Sequence, residues 1–356
     1  MSHLLELDKV TKVFGGGFLN RGPKTVALQG VSLSIEEESS SINALAGESG
    51  SGKTTLARLL MGFITPTEGT VRYRGKDLQR MNKDEQEAFR REVQPIFQDP
   101  FEVFNPFYRI DHMLWTPIKR FHMARSDREG RKLIEESLEI VGLRPEETLG
   151  RFPHQLSGGQ RQRIMVARAL LLRPRVVVAD EPVSMVDASL RATILESLRT
   201  LNEELGIILV YITHDLTTAY QICDNVMVLY KGNVAEAGVV DRVIRDPQHP
   251  YTQLLMSSTP LPDPTKRWGE FVVENVDDPD AEVGQDNHGC LFADRCPEVM
   301  KRCREAPPPL YRINPDRAAT CYLHDEHGTL ESSDVAEVFT QAHRRIERIE
   351  ASEGSA

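Results

Sequence analysis

Apolar and polar positions alternate along residues 4–14 and again along 26–35, the period of half-buried strands. Residues 42–46, 176–179 and 207–213 are apolar almost throughout, as strands buried on both faces of a parallel sheet are. Between them the period lengthens. Leu56, Leu59, Leu60 and Phe63 recur at helical spacing, and residues 82–93 read as a charged helix. Residues 112–143 predict a long helical stretch that ends at Gly142. Ile164, Val166, Ala167, Leu170 and Leu171 mark another helix, capped by Ser157 and stopped by Pro174. A further helix over 190–205 is closed by Gly206. Residues 71–78 form a short strand, and 224–231 with 233–236 a strand pair around Gly232. Repeated helix–strand units imply a largely parallel sheet, with an antiparallel β-layer ahead of it.

One loop gives this pattern chemical meaning. Residues 47–55 read GESGSGKTT, with Gly47, Gly52, Lys53 and Thr54 at the phosphate-loop positions. The loop lies between a buried strand and a helix, the context the motif requires. Glycines let backbone N–H groups reach phosphate oxygens, and the helix N-terminus adds donors and a positive dipole end. The expected nucleotide contacts are Gly47, Glu48, Ser49, Gly50, Ser51, Gly52, Lys53, Thr54 and Thr55. Among these, Lys53 suits the β- and γ-phosphates and the Thr54 hydroxyl suits Mg²⁺.

Other stretches add to it. Ser157, Gly158, Gly159 and Gln160 open a helix with two glycines, a second anion-binding helix end. Arg161, Arg163 and Arg168 on that helix read as a solvated or ion-paired face. Asp180 ends the apolar run 176–179, where a phosphate-loop fold holds Mg²⁺, and Glu181 next to it can polarise a water. His214 ends another buried strand and suits a γ-phosphate contact. Gln98 ends a strand on a loop, a weak signal alone. Phe14, before a glycine turn, suits either base stacking or the core. Three phenylalanines in residues 101–107 suit either a docking surface or a cover for the core edge.

Composition narrows the setting. The chain has 356 residues, enough for a main domain and an appended one. The net charge of −10 argues against a nucleic-acid partner. No stretch approaches the ~20 apolar residues of a membrane helix. The N-terminal sequence lacks a basic region followed by an apolar one, so a cytosolic location is expected. Four of the five cysteines, Cys290, Cys296, Cys303 and Cys321, then cluster where disulfides are not expected. Thiolates suit zinc or an iron–sulfur cluster, although tight C-x2-C pairs are missing and free thiols remain an alternative. Cys223 stands apart and reads as core.

In this order, the phosphate loop, Gln98, LSGGQ at 156–160, VVVADE at 176–181, residues 184–187 and His214 resemble an ABC-transporter ATPase subunit. The resemblance covers residues 4–260. DPQHPYTQLL at 246–255 and the cysteines beyond it resemble the oligopeptide/dipeptide-importer branch, extending the likeness to residue 323. It implies an α/β P-loop NTPase fold. That fold has a mixed, largely parallel core sheet, an antiparallel β-layer, a helical subdomain over 95–172 and a small C-terminal Cys-rich domain. The expected divisions are 1–260, then a linker and Cys-rich region over 261–325, then a helical or disordered tail over 326–356.

The resemblance also implies roles. Asp180, with Thr54 and Gln98, would organise Mg²⁺, and Glu181 would be the general base. Gln98 would sense the γ-phosphate beside the membrane subunit, His214 would hold that phosphate, and Phe14 would stack on adenine. Ser157, Gly158, Gly159 and Gln160 would complete the site of an opposing subunit. Ser-Met-Val-Asp replaces the usual Ser-Ala-Leu-Asp at 184–187, but Asp187 is kept. The implied cofactors are ATP, Mg²⁺ and a [4Fe–4S] cluster on the four cysteines. The implied partners are two integral-membrane permease subunits, a second ATPase subunit and, indirectly, an extracytoplasmic solute-binding protein. The chain would then sit on the cytoplasmic face of the cell membrane and energise import of peptides, or of an oligosaccharide or nickel. The competing expectation is a soluble ABC ATPase not coupled to transport. One cassette, no sustained heptads and an acidic balance speak against it.

Overall fold

The computed structural model describes residues 3–15, 24–184, 186, 188–258, 289–330 and 334–339. Asp187 lies outside the described residues, as do the acidic linker (259–288) and residues 340–356.

Two sheets carry the chain. The smaller comprises β1 (His3–Phe14), β2 (Thr25–Glu36), β4 (Glu68–Tyr73) and β5 (Lys76–Asp77), ordered β2-β1-β4-β5 with antiparallel pairing. The larger has eight strands, built on β3 (Ile42–Ala46), β6 (Val93–Ile96), β7 (Val176–Asp180), β8 (Ile208–Thr213), β9 (Asn225–Tyr230) and β10 (Asn233–Val239). Two short strands, β11 (Tyr311–Asn314) and β12 (Arg317–Ala319), complete the order β11-β12-β10-β9-β3-β8-β7-β6. Strands β6, β7, β8, β3 and β9 run parallel, and β10, β12 and β11 add antiparallel pairs.

The continuous apolar runs are buried because each face of this sheet packs on something. All six residues of β8 are buried, and they divide by the period of two. Ile208, Val210 and Ile212 join Leu56, Leu59 and Leu60 of the helix Lys53–Leu60, together with Leu5, Leu7 and Leu33 from the small sheet. Leu209 and Tyr211 face the other core, with Leu114, Leu138, Ile164 and Leu198 from the helices.

The expected long helical stretch over 112–143 is two helices, Ile110–Arg120 and Asp127–Ile140. His122 turns to φ 48° between them, and Ser126 caps the second by accepting from Glu129 N. The arginines expected on a solvated or ion-paired face are half-buried and meet carbonyl, amide and ring partners instead. Arg163 donates to the Gly142 carbonyl at 3.0 Å and Arg168 to Gln94 at 2.8 Å, while Arg161 lies 4.4 Å from the Phe101 ring centre. These cations tie the signature helix to its neighbours.

The Cys-bearing segment shares the sheet of the cassette. β12 pairs with β10, and Ala318 and Ala319 have no exposure. The start of the tail is docked too. Asp334 accepts from Ser34 N at 3.1 Å and also bonds the Ser34 hydroxyl. Val335 and Val338, on a single 3-10 turn, are buried.

A buried carboxylate anchors the segment after β10. Glu236, with no exposure, accepts from Gln248 N at 3.0 Å and from His249 N at 3.0 Å. Burial pushes its pKa from 4.5 up to about 7, against the hydrogen bonds and Arg317, which lower it. The unfolded chain releases this proton near 4.5, so the native state loses stability as pH rises from 4.5 to 7, by about 3 kcal/mol. Glu236→Gln lacks that penalty. Its stability relative to the unsubstituted chain therefore rises between pH 5 and pH 7 in urea unfolding. A difference that stays constant with pH would contradict the assignment.

Candidate functional site

The phosphate loop lies between β3 and the helix Lys53–Leu60, and its glycines are set by neighbouring backbone. A Cβ on Gly47 would lie 2.3 Å from the Leu229 carbonyl oxygen, and one on Gly52 2.5 Å from that of Ala27. Both have positive φ, 146° and 106°. Glu48 N donates to the Tyr251 hydroxyl at 2.8 Å. Lys53 Nζ donates to the carbonyls of Gly47 (2.7 Å) and Glu48 (2.8 Å). Burial lowers the Lys53 pKa, and the charges of Glu181, Asp180 and Glu48 oppose the shift. Ser51 is buried, whereas Ser49, Gly50 and Thr54 are exposed and Glu48 and Thr55 half-buried.

Asp180 closes β7 facing this loop. Burial raises its pKa and Glu181 adds to the rise; Lys53, Arg58 and a hydrogen bond with Thr54 counter it. Of the sequence-expected Mg²⁺ residues, Thr54 and Asp180 are therefore in contact, while Gln98 is bonded to Glu181 beside them. A hydroxyl, a carboxylate and an amide oxygen are the hard donors that Mg²⁺ prefers.

Glu181 is the centre of the constellation. Its Oε2 accepts from Gln98 Nε2 at 2.8 Å, and its Oε1 lies 2.9 Å from His214 Nδ1. Three chain segments thus meet on one carboxylate. The backbone of Glu181 is left-handed, φ 44°, which costs a non-glycine residue on the order of 1 kcal/mol. It is held there because Glu181 N donates to Ile212 O at 3.0 Å and Ser184 Oγ donates to Glu181 O at 3.0 Å. Strain held by surrounding bonds aims this side chain between Gln98 and His214.

Phe14 ends β1, 42% exposed, with the Lys12 ammonium 5.1 Å from its ring centre. It is outside the core, with one ring face next to the Lys12 ammonium. Ser157 caps the helix Gly158–Leu171: its hydroxyl accepts from Gln160 N at 3.2 Å, and Gln160 Oε1 accepts from Ser157 N at 2.9 Å. Ser157 is exposed and Gly158 half-buried.

The four C-terminal cysteines come together. Burial pushes the Cys296 thiol up to about 11, with Cys290 and Cys303 adding to the rise. Burial does the same to Cys321, again to about 11, with Cys296, Cys290 and Cys303 contributing. None of them is in a disulfide. No three of these sulfurs lie within 4.8 Å of one another. Four thiols gathered in one segment are the soft donor set that thiolate-bound metal centres use.

Two residues at the loop were not read from sequence. Tyr251 was visible only as part of the HPY stretch, and Arg295 not at all. Arg295 donates to both carboxylate oxygens of Glu48 at 2.9 Å each.

Together, the fold and the site define a P-loop nucleotide-hydrolase class with a signature helix outside its own phosphate loop. The sequence matches the family "ABC transporter" over residues 28–184 and "Oligopeptide/dipeptide transporter, C-terminal region" over 235–303. The oligopeptide transport ATP-binding protein OppF of Escherichia coli is 38% identical over 289 residues, 81% of this chain and 85% of that protein. The di/tripeptide transport ATP-binding protein DppF of Pseudomonas aeruginosa is 39% identical over 301 residues, 83% and 89% of the two chains. A solved dimeric ATP-binding cassette, in a post-hydrolysis state bound to ADP and Pi, superposes with TM-score 0.59. It is 31% identical, covering 66% of this chain and 98% of that one. The chain belongs to the ABC transporter family, in its oligopeptide/dipeptide branch.

Proposed function

We propose that this chain binds and hydrolyses MgATP as the energising subunit of a peptide importer. The observation that carries this reading is Glu181, held by Gln98 and His214 one residue beyond Asp180 and facing the phosphate loop. Lys53 exchanges its two carbonyl partners for phosphate oxygens, and the loop N–H groups take the rest. Mg²⁺ supplies charge neutralisation on the phosphates, and Thr54, Asp180 and Gln98 are the residues to hold it. Glu181 takes the proton of the attacking water, and His214 steadies both that carboxylate and the γ-phosphate. Phe14 stacks on the adenine, and Asp187 contributes across the assembled site.

The signature helix completes a partner ATPase's site. Its exposed N-terminal end supplies donors to the γ-phosphate of the opposite nucleotide, so ATP joins two subunits. The two permease subunits dock on the helical region. Phe107 is 86% exposed there, beside Tyr108, and a groove of ≈ 430 Å³ runs past Phe104, Tyr108, His112 and Met113. No helix among the described residues is long and apolar enough to cross a membrane. The chain therefore reaches the cytoplasmic face of the membrane through those subunits. An extracytoplasmic solute-binding protein delivers the peptide. Co-purification tests this reading: the chain should come out with integral-membrane subunits, and peptide-loaded binding protein should stimulate its ATPase activity. Recovery of an active ATPase with no membrane partner would favour the uncoupled alternative.

A [4Fe–4S] cluster is the group proposed for Cys290, Cys296, Cys303 and Cys321. Their mutual electrostatic influence within one buried segment supports a shared thiolate-bound centre. Anaerobically purified protein should absorb in the visible and contain iron, and Cys303→Ser should lose both signals. Stoichiometric zinc without iron would overturn this.

A further inference from the structure

A phosphate loop is built to hold a polyanion, yet Glu48 places a carboxylate within it. That charge is not remote: it acts on Lys53 together with Asp180 and Glu181. The group that meets it comes from 247 residues further along the chain. Arg295 ends the 3-10 turn Ala293–Arg295, between Cys290 and Cys296. The turn is fixed by Phe292, 2% exposed, whose ring packs at 5.3 Å from that of Tyr230 and 5.5 Å from that of Tyr251. Tyr251 in turn accepts from Glu48 N. One aromatic cluster therefore positions both the guanidinium and the hydroxyl that hold Glu48. The two bonds from Arg295, parallel and 2.9 Å each, have the forked geometry that lysine cannot reproduce.

We propose that Arg295 is a positioning residue of the ATP site: it neutralises Glu48 and fixes the phosphate loop, making the Cys-bearing segment part of nucleotide binding. This rests on the ATP reading above. Without Arg295, an unbalanced carboxylate faces the incoming triphosphate. The pair is partly exposed, which moderates the effect.

The test is mant-ATP affinity of the full chain, titrated with Mg²⁺ at low and high salt. Arg295→Ala should weaken binding about 3- to 10-fold, a Coulomb effect reduced by solvent, and less so at high salt. Arg295→Lys should recover part of the loss. Adding Arg295→Ala to Glu48→Gln should change affinity by less than about 2-fold relative to Glu48→Gln alone, because no charge remains to neutralise. Iron content and urea midpoint report whether Arg295→Ala has disturbed the segment itself. A merely structural role gives the same loss in both backgrounds and overturns the proposal. So does unchanged affinity in Arg295→Ala while the unsubstituted chain binds well. An unsubstituted chain that fails to bind mant-ATP overturns the ATP reading itself, and this proposal with it.

Discussion

Glu181→Gln should bind MgATP as well as the unsubstituted chain and hydrolyse it at least ~100-fold more slowly, the scale of a lost general base. The amide is nearly the same size and keeps an oxygen that can accept from Gln98 Nε2, now 2.8 Å from the carboxylate. Geometry therefore survives while basicity does not. In the proposed site Lys53, Thr54 and Asp180 are untouched, and Gln98 keeps an oxygen to donate to. Removing the negative charge beside Asp180 also removes the Glu181 contribution to its raised pKa, leaving burial as the main cause. Phosphate release and mant-ATP titration separate the two effects. Near-normal turnover would refute the base assignment, and a parallel loss of binding would place Glu181 among the binding residues instead.

The sequence made single residues legible wherever the local pattern carried their setting. Asp180 and Glu181 were readable because they follow four apolar positions, and β7 ends where that run ends. Lys53 and Thr54 were readable because their motif sits between a strand and a helix. What joins the site was not legible. Gln98 and His214 meet Glu181 from 83 and 33 residues away, and periodicity reports burial, not partners. The same holds for Arg295, whose charge looked like any other in a charged segment. The apolar pattern over 112–143 hid a break because Phe121, Met123 and Ala124 keep it going through the turn. The arginines of the signature helix were misread because their polarity suggests solvent, while carbonyls and an aromatic ring nearby satisfy them. The start of the tail showed only a helical period: Val335 and Val338 lie on a 3-10 turn that Asp334 pins to the edge of β2, a partner no local pattern names.

Gly158→Asp should abolish hydrolysis in the assembled transporter, by about 100-fold or more, while leaving this chain's own ATP binding unchanged. The residue is the first of the helix Gly158–Leu171. An acidic side chain at that position is favourable for the helix itself, by roughly 0.3–1 kcal/mol, because it meets the positive end of the dipole. The capping box of Ser157 and Gln160 stays in place. The variant should therefore fold at least as well, and its urea midpoint checks that. In the proposed two-subunit site the γ-phosphate needs the same positive helix end, and a carboxylate there would occupy the donors and repel the phosphate. Loss of such preorganised donors is typically worth 10²–10³ in rate. Because the proposed arrangement assigns the affected phosphate to the opposite subunit, mant-ATP affinity of the isolated chain should not move. A fall in that affinity would mean that the signature helix serves its own phosphate loop, and the two-subunit site would have to be abandoned.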